Sequence, residues 1–264
     1  MIVPSMTNLE ICDALFADRP KLQIRADTLI PKMAKQFKRE RKFPAWKWEE
    51  YTHQESRNNY LISFYVATAD QASKPKVNFI AFMEDERQRI VIQWGCRPYR
   101  RFGSLNVTMV RALRYFFPHF FQRYRERVWP GVEISYNELL CRYFSRNEVD
   151  FSLKSNKDIQ RNYEEYGEFA YTFQQPDGTC FVYDGLDGDE LTIGTTEDNI
   201  VSVTLYMTIV THKMMSQIQK DAIKRGGRNY ILNHFKSLYS DLVKDQLLQT
   251  LLQADKMIKN YYAE

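Results

Sequence analysis

One histidine and two arginines recur at four-residue spacing near the middle of the chain. His119, Arg123 and Arg127 stand at i, i+4 and i+8, which predicts that they lie along one side of a helix. Pro118 favours the first turn of that helix, where the imidazole meets unpaired N–H groups and the positive end of the helix dipole. That environment favours the neutral ring of a general base, and the two arginines suit a phosphate. The row predicts either acid–base catalysis on a phosphodiester or an exposed basic helix whose histidine only caps or packs.

The residues around this row resemble a known group of small domains. Residues 117–127 read Phe-Pro-His-Phe-Phe-Gln-Arg-Tyr-Arg-Glu-Arg and contain the pattern P-H-x-x-x-R-x-x-x-R. This pattern is similar to a helix of toxin-related domains that are grouped with the RelE- and BrnT-like ribonuclease toxins and are found on mobile elements. The resemblance covers at most residues 105–215. It implies metal-independent RNA cleavage or RNA binding, with His119, Arg123 and Arg127 as the positions that carry over.

His212 is a fourth catalytic candidate. It follows residues 200–211, in which apolar and polar side chains alternate strictly and thereby predict a strand. A residue at the end of a strand often lies at a sheet edge, where such toxins keep catalytic groups. The alternative is an ordinary polar residue at the start of a helix.

Arginines are concentrated between residues 97 and 127. Eight arginines stand there against one acid, Glu126, and aromatic residues are interleaved with them. Arginine suits bidentate phosphate recognition, and aromatic rings offer stacking to bases. The stretch predicts a nucleic-acid-binding surface, the alternative being solvated helix faces. Besides the two arginines of the histidine row, the residues assigned to this surface are Arg97, Arg100, Arg101, Arg111, Arg114 and Arg125.

Two further stretches carry strong charge. Residues 19–42 hold nine basic and two acidic residues, whereas residues 163–199 hold ten acidic residues and no lysine or arginine. A basic face attracts phosphate backbones by counterion release. The acidic stretch suits a basic protein partner or the chain's own basic helix.

Several classes of function lack their motifs. The sequence has no zinc-ligand spacing, P-loop, GxGxxG, GxSxG or HExxH, and the acidic residues 184–190 do not follow the calcium-loop spacing. We therefore expect neither a metal nor a cofactor. The four cysteines form no CxxC pair, which fits a reducing cytoplasm. No run of 18 apolar residues exists, so no membrane-spanning helix is expected.

The apolar patterns predict helices first, then strands, then helices again. Helices are expected over 7–17, 27–41, 118–128, 135–145 and 156–166, with residues 49–59 as a loop. Strands are expected over 60–69, 77–84, 89–95, 168–174, 179–184, 191–196 and 200–211, and residues 105–117 fit either type. A last helix starts at His212, breaks at Gly226-Gly227 and continues to the end of the chain.

These elements predict an α+β fold with two antiparallel sheets, segregated helices and a long C-terminal helix. Three regions are expected: helices and a β-meander over 1–104, helices and a small sheet over 105–211, and a helical segment over 212–264. The apolar stripe of the last helix suits a homodimer or its own sheet.

Two functions remain open from the sequence. In the first, the protein binds nucleic acid, RNA in particular, and has metal-independent ribonuclease-like chemistry. In the second, it is a non-catalytic interaction or structural protein of a phage or mobile element.

Overall fold

Nine strands and four helices make up the computed structural model, which describes residues 1–85, 88–100, 107–148, 151–154, 156–160, 171–187 and 200–238. The helices are α1 (Asn8–Phe37), α2 (Pro118–Val128), α3 (Tyr136–Arg146) and α4 (Gln217–Leu238). The strands are β1 (Ala45–Thr52), β2 (Asn59–Val66), β3 (Lys76–Asp85), β4 (Gln88–Arg100), β5 (Val107–Phe116), β6 (Phe151–Lys154), β7 (Tyr171–Gln175), β8 (Gly178–Asp187) and β9 (Val201–Val210). A short 3-10 helix covers Ala69–Ser73.

All nine strands belong to one mixed sheet with the order β1-β2-β3-β4-β5-β9-β8-β7-β6. Strands β1 to β5 form an antiparallel meander, and β9 pairs with β5 in parallel, with Arg111 opposite Val201. The predicted α+β fold with two antiparallel sheets is therefore wrong. The parallel pair joins the two sets of strands, and such a pair has no hairpin turn that a sequence pattern would reveal.

Two compact units are distinguished along the chain. The first contains Met1–Glu148 and Tyr183–Thr208, and the second contains Val149–Val182 and Ile209–Glu264. The residues before position 149 that the sequence assigns to catalysis or nucleic-acid binding all belong to the first unit, whereas His212 belongs to the second.

Helix α1 is a single helix of 30 residues, where the sequence predicts two shorter ones. It begins with a capping box between Thr7 and Glu10, and its buried side chains recur at helical spacing from Ile11 to Phe37. Leu22 and Ala26 continue this buried row across the gap between the two predicted helices. The free energy gained by burying one continuous apolar stripe therefore outweighs the cost of the two helical hydrogen bonds that are lost at Pro20 and Pro31.

The side chains of β5 alternate between the two faces of the sheet. In the first unit, each of these faces carries a packed core. Tyr115 points to the side of α1, where its hydroxyl donates to Asn8 Oδ1 at 2.6 Å. Phe116 points to the other side, as expected for the next residue of a strand. Its ring lies between 4.2 and 5.6 Å, centroid to centroid, from five other rings of α2, α3 and β9: Phe120, Phe121, Tyr143, Phe144 and Tyr206.

The C-terminal helix differs from the prediction. Residues 212–214 form a turn, α4 begins at Gln217, and Gly226 and Gly227 lie inside it. A Cβ atom at Gly226 would stand 3.2 Å from Leu153 Cδ1, so glycine suits close packing against β6. The structure describes this helix only to Leu238, so the long helix predicted to the end of the chain is not shown, and residues 239–264 lie outside the described residues. The same holds for the strand predicted over 191–196 and for most of the helix predicted over 156–166.

Candidate functional site

Helix α2 begins where the proline predicted it. Pro118 is its first residue, and Phe117 stands at the N-cap without a side-chain hydrogen bond to the helix. His119 is exposed in the first turn, and its ring stacks on that of Phe117 with centroids 6.1 Å apart. The imidazole is therefore accessible at the N-terminal end of a helix, as the sequence predicts.

The two arginines of the row differ in their surroundings. Arg123 is exposed and lies 3.4 Å from Glu126 Oε2, one turn further along α2. Arg127 is partly buried, and its Nη1 donates to Thr208 Oγ1 of β9 at 3.0 Å. His119 and Arg123 thus share an open helix face, whereas Arg127 is engaged with the sheet.

His212 lies in the turn before α4, within the second unit. Burial lowers the pKa of its imidazole, the charge of Lys220 lowers it further, and Asp177 opposes the shift. The neutral ring is therefore favoured.

The arginines predicted to bind nucleic acid do not share one surface. Arg111 points to α1, where it pairs with Asp13. Arg97 and Arg114 lie on the other face of β4 and β5, in a cleft of about 200 Å³ beside the exposed Cys96. Arg125 is exposed on α2, the side chain of Arg100 is outside the described residues, and so is Arg101. The sheet therefore separates the guanidinium group of Arg111 from those of Arg97 and Arg114.

A larger groove crosses the edge of the sheet at β1. It has a volume of about 510 Å³, and β1 is the first strand in the sheet order. One wall is the end of α1, with Lys32, Met33 and Gln36, and the other is α3, with Glu138 and Arg142. Because the side chains of β1 alternate between the two faces of the sheet, the strand contributes side chains to both walls of the groove.

The α3 wall is built on a stacked arginine. The guanidinium of Arg142 lies 4.9 Å from the ring centroid of Trp46 and 4.4 Å from that of Trp129. Arg142 Nε and Nη2 donate to Glu138 Oε1 at 3.0 and 2.6 Å, and Trp46 Nε1 donates to Ser145 Oγ at 2.7 Å. Arg142 is thus held in place and forms part of the wall.

Trp48 is the second indole of the groove. It lies two residues after Trp46 on β1, and therefore on the same face of the strand. Trp46 contacts Tyr65 as well as Arg142, whereas no ring or cation contact to Trp48 occurs within the described part of the chain. The indole of Trp48 is half-buried and lines the groove.

Positive charge is concentrated at the end of the groove where α1 finishes. We call the exposed residues Lys35, Lys38, Arg39, Arg41 and Lys42 the α1 basic cluster. Over the residues that the structure describes, none of the five forms an ion pair. Two of the basic residues earlier in α1 differ, since Lys21 pairs with Glu55 and Arg25 with Glu49. Lys42 also lines the groove, where Lys47 is paired with Glu40.

The amino-acid sequence reveals this positive charge but not the groove. Residues 19–42 are recognised as basic from composition alone, whereas residues 49–59 are predicted to be a loop. The missed signal is the pair of tryptophans at alternate positions just before that segment, which is typical of a strand with one aromatic face.

No family model, curated protein or solved structure matches the chain. Among the described residues, no group of three or more His, Cys, Asp or Glu side chains is arranged to hold a metal ion. The described helices also include none that is long and apolar enough to cross a membrane.

Proposed function

We propose that the protein binds nucleic acid, and RNA in particular, through the α1 basic cluster. The observation that carries the proposal is the set of five exposed cations that lack acidic partners in the described structure and stand beside an indole-lined groove. Surface cations without acidic partners attract phosphates, because their binding to a nucleic acid releases the counterions that are condensed on it. The four cysteines are free, which suits a reducing cytoplasm.

Salt dependence follows from this mechanism. Five phosphate contacts on a single strand give a slope of log affinity against log salt of about −3.5. Fluorescence anisotropy with a labelled 20-nucleotide RNA between 50 and 200 mM salt measures this slope. We expect the triple charge reversal Lys38→Glu, Arg39→Glu and Lys42→Glu to weaken binding at least about tenfold and to flatten the slope.

A matched control separates a local surface from overall charge. Arg19, Lys74 and Lys213 are also exposed and form no ion pair among the described residues. Their triple reversal to glutamate changes the net charge by the same amount. Equal losses in both triple variants, or no binding of the wild type at low salt, would contradict the proposal.

RNA cleavage is the catalytic part of the proposal and is assigned to α2. The exposed His119 at the start of this helix supports it, because an accessible imidazole can act as the general base that takes a proton from a ribose hydroxyl. Arg123, on the same open face, supports a second role in charge stabilisation at phosphorus. Membership of a toxin-like, mobile-element group rests on the sequence resemblance alone.

Protein interaction is the second candidate function. Met214 and Ile218, near the start of α4, are 53% and 59% exposed. Two exposed apolar side chains so close in sequence favour a contact with another protein, including a second copy of this chain. Substitution of both by serine should leave RNA binding unchanged and, under this candidate, abolish self-association in analytical ultracentrifugation.

A further inference from the structure

We infer that the groove at β1 holds an unpaired base stacked on Trp48, so that the protein selects single-stranded over duplex nucleic acid. This inference rests on the proposed function and specifies its ligand. The basic cluster alone attracts any polyanion, whereas the groove adds a surface that only an exposed base can use.

The two indoles of the groove have different roles. Arg142 lies over two indole rings, those of Trp46 and Trp129, and Glu138 fixes the guanidinium. Trp46 also contacts Tyr65 across the strand pair, with ring centroids 5.8 Å apart. Trp46 is therefore part of the packed wall. Trp48 has no such ring or cation contact among the described residues, so its indole is the stacking surface of the groove.

Size and charge both fit a nucleotide of a single strand. The volume of about 510 Å³ lies within the roughly 300–1,000 Å³ that is typical of small-ligand sites. Lys42 lines the same groove and belongs to the α1 basic cluster, so a nucleotide whose base stacks on Trp48 has a cation in the same groove for its phosphate. In a duplex the bases are already stacked on one another and are not available to the indole.

The acids of the groove do not oppose this arrangement. Glu40, Glu49 and Glu138 line it, and each is paired with a cation: Lys47, Arg25 and Arg142 respectively. Lys32 lies 3.8 Å from the second oxygen of Glu49. Lys42 is the lining cation that has no acidic partner among the described residues, and it belongs to the α1 basic cluster.

The test compares single strands with duplexes of the same sequence. Anisotropy titrations of a labelled 12-nucleotide RNA, alone and annealed to its complement, are made with the wild type, Trp48→Ala and Trp48→Phe. We expect the wild type to bind the single strand at least about tenfold more tightly than the duplex. Trp48→Ala should lose about tenfold on the single strand and nothing on the duplex, and Trp48→Phe should keep most of the affinity.

The titration with the duplex shows whether each variant is folded, because binding of the duplex depends on the α1 basic cluster alone. Equal affinity of the wild type for both forms, with no effect of Trp48→Ala, would overturn the inference and leave the proposed function intact. If the wild type binds neither form, both the inference and the proposed function are overturned. Poly-glutamate serves as a third probe. If it binds as tightly as the single strand and with the same dependence on Trp48, the groove recognises an extended acidic peptide and not a base.

Discussion

Asp18, in the middle of α1, accepts a hydrogen bond from the hydroxyl of Tyr60 on β2 at 2.7 Å. Asp18 is 5% exposed and Tyr60 is 1% exposed. The same carboxylate oxygen also accepts from Asn58 Nδ2 and Ser56 Oγ, which belong to the segment between β1 and β2. One buried carboxylate therefore joins the long helix to the strand pair that carries the groove.

The first prediction concerns the pH dependence of stability. Burial raises the pKa of Asp18, but the hydrogen bonds from Ser56, Tyr60 and Asn58 outweigh burial and hold the pKa below its usual value. A carboxyl whose pKa is lowered by folding stabilises the folded state above its unfolded pKa of about 3.9, and this contribution is lost as the pH falls through the folded pKa. Asp18→Asn should therefore lower the free energy of unfolding by about 1–3 kcal/mol at pH 7 and by less near pH 3.

Chemical denaturation at pH 7, 5 and 3 measures this difference. Asp13→Asn is the matched control, because Asp13 is on the same helix but is an exposed partner of Arg111. Its effect should stay below about 1 kcal/mol. A loss in Asp18→Asn that is the same at pH 7 and pH 3 would disprove the assigned role of the charge.

The second prediction concerns Gly178, which begins β8. Its φ is +151°, and a Cβ atom there would stand 2.4 Å from the carbonyl oxygen of Val210. Backbone atoms cannot move aside as a flexible side chain does, so Gly178→Ala combines strain with a steric clash. We expect it to reduce stability by at least about 2 kcal/mol, measured by thermal unfolding.

Two other glycines separate these contributions. Gly131 has a φ of +71° with no described atom within 4 Å of an added Cβ, and Gly95 has neither a positive φ nor a close neighbour. Gly131→Ala should therefore cost about 1 kcal/mol and Gly95→Ala less. Equal effects at positions 178 and 95 would refute the clash.

The third prediction concerns thiol reactivity. Burial raises the pKa of Cys12 to about 11 and that of Cys141 to about 12, and Cys180 is also fully buried. Cys96 is exposed. Because the thiolate is the reactive form, a thiol reagent at pH 8 should modify one cysteine of the native protein rapidly and all four after denaturation. Cys96→Ser should remove the rapid phase, whereas Cys12→Ser should not.

The fourth prediction tests the catalytic part of the proposed function. His119→Ala should abolish cleavage of RNA in the presence of a metal chelator and leave the binding constant unchanged, since His119 lies on α2 and is not part of the α1 basic cluster. Gln122→Ala, an exposed change on the same helix, is the control. Cleavage that persists in His119→Ala would assign the activity to other groups.

Local signals predict much of the fold correctly. The meander of β2, β3 and β4 follows from β-branched and aromatic runs, and Pro118 and Ser135 mark the starts of α2 and α3. The alternating residues 200–211 form β9 as predicted. In each case the signal lies within a few residues of the element that it specifies.

Features that depend on contacts between distant segments cannot be predicted from such local patterns. Strand β1 is half-exposed, so its polar side chains resemble those of a loop. The merging of two predicted helices into α1 depends on burial of Leu22 and Ala26 against other elements. The groove combines α1, β1 and α3, and no sequence motif connects segments so far apart.

The pairing of β5 with β9 has a consequence for synthesis of the chain. Arg111 and Val201 are paired across a separation of 90 residues, so closing this contact costs loop entropy and we expect it to form late in folding. While the ribosome makes the intervening residues, the nascent meander carries β5 as an open edge. An unpaired edge invites association with other nascent chains, so co-translational chaperone dependence is the expected cost of this topology.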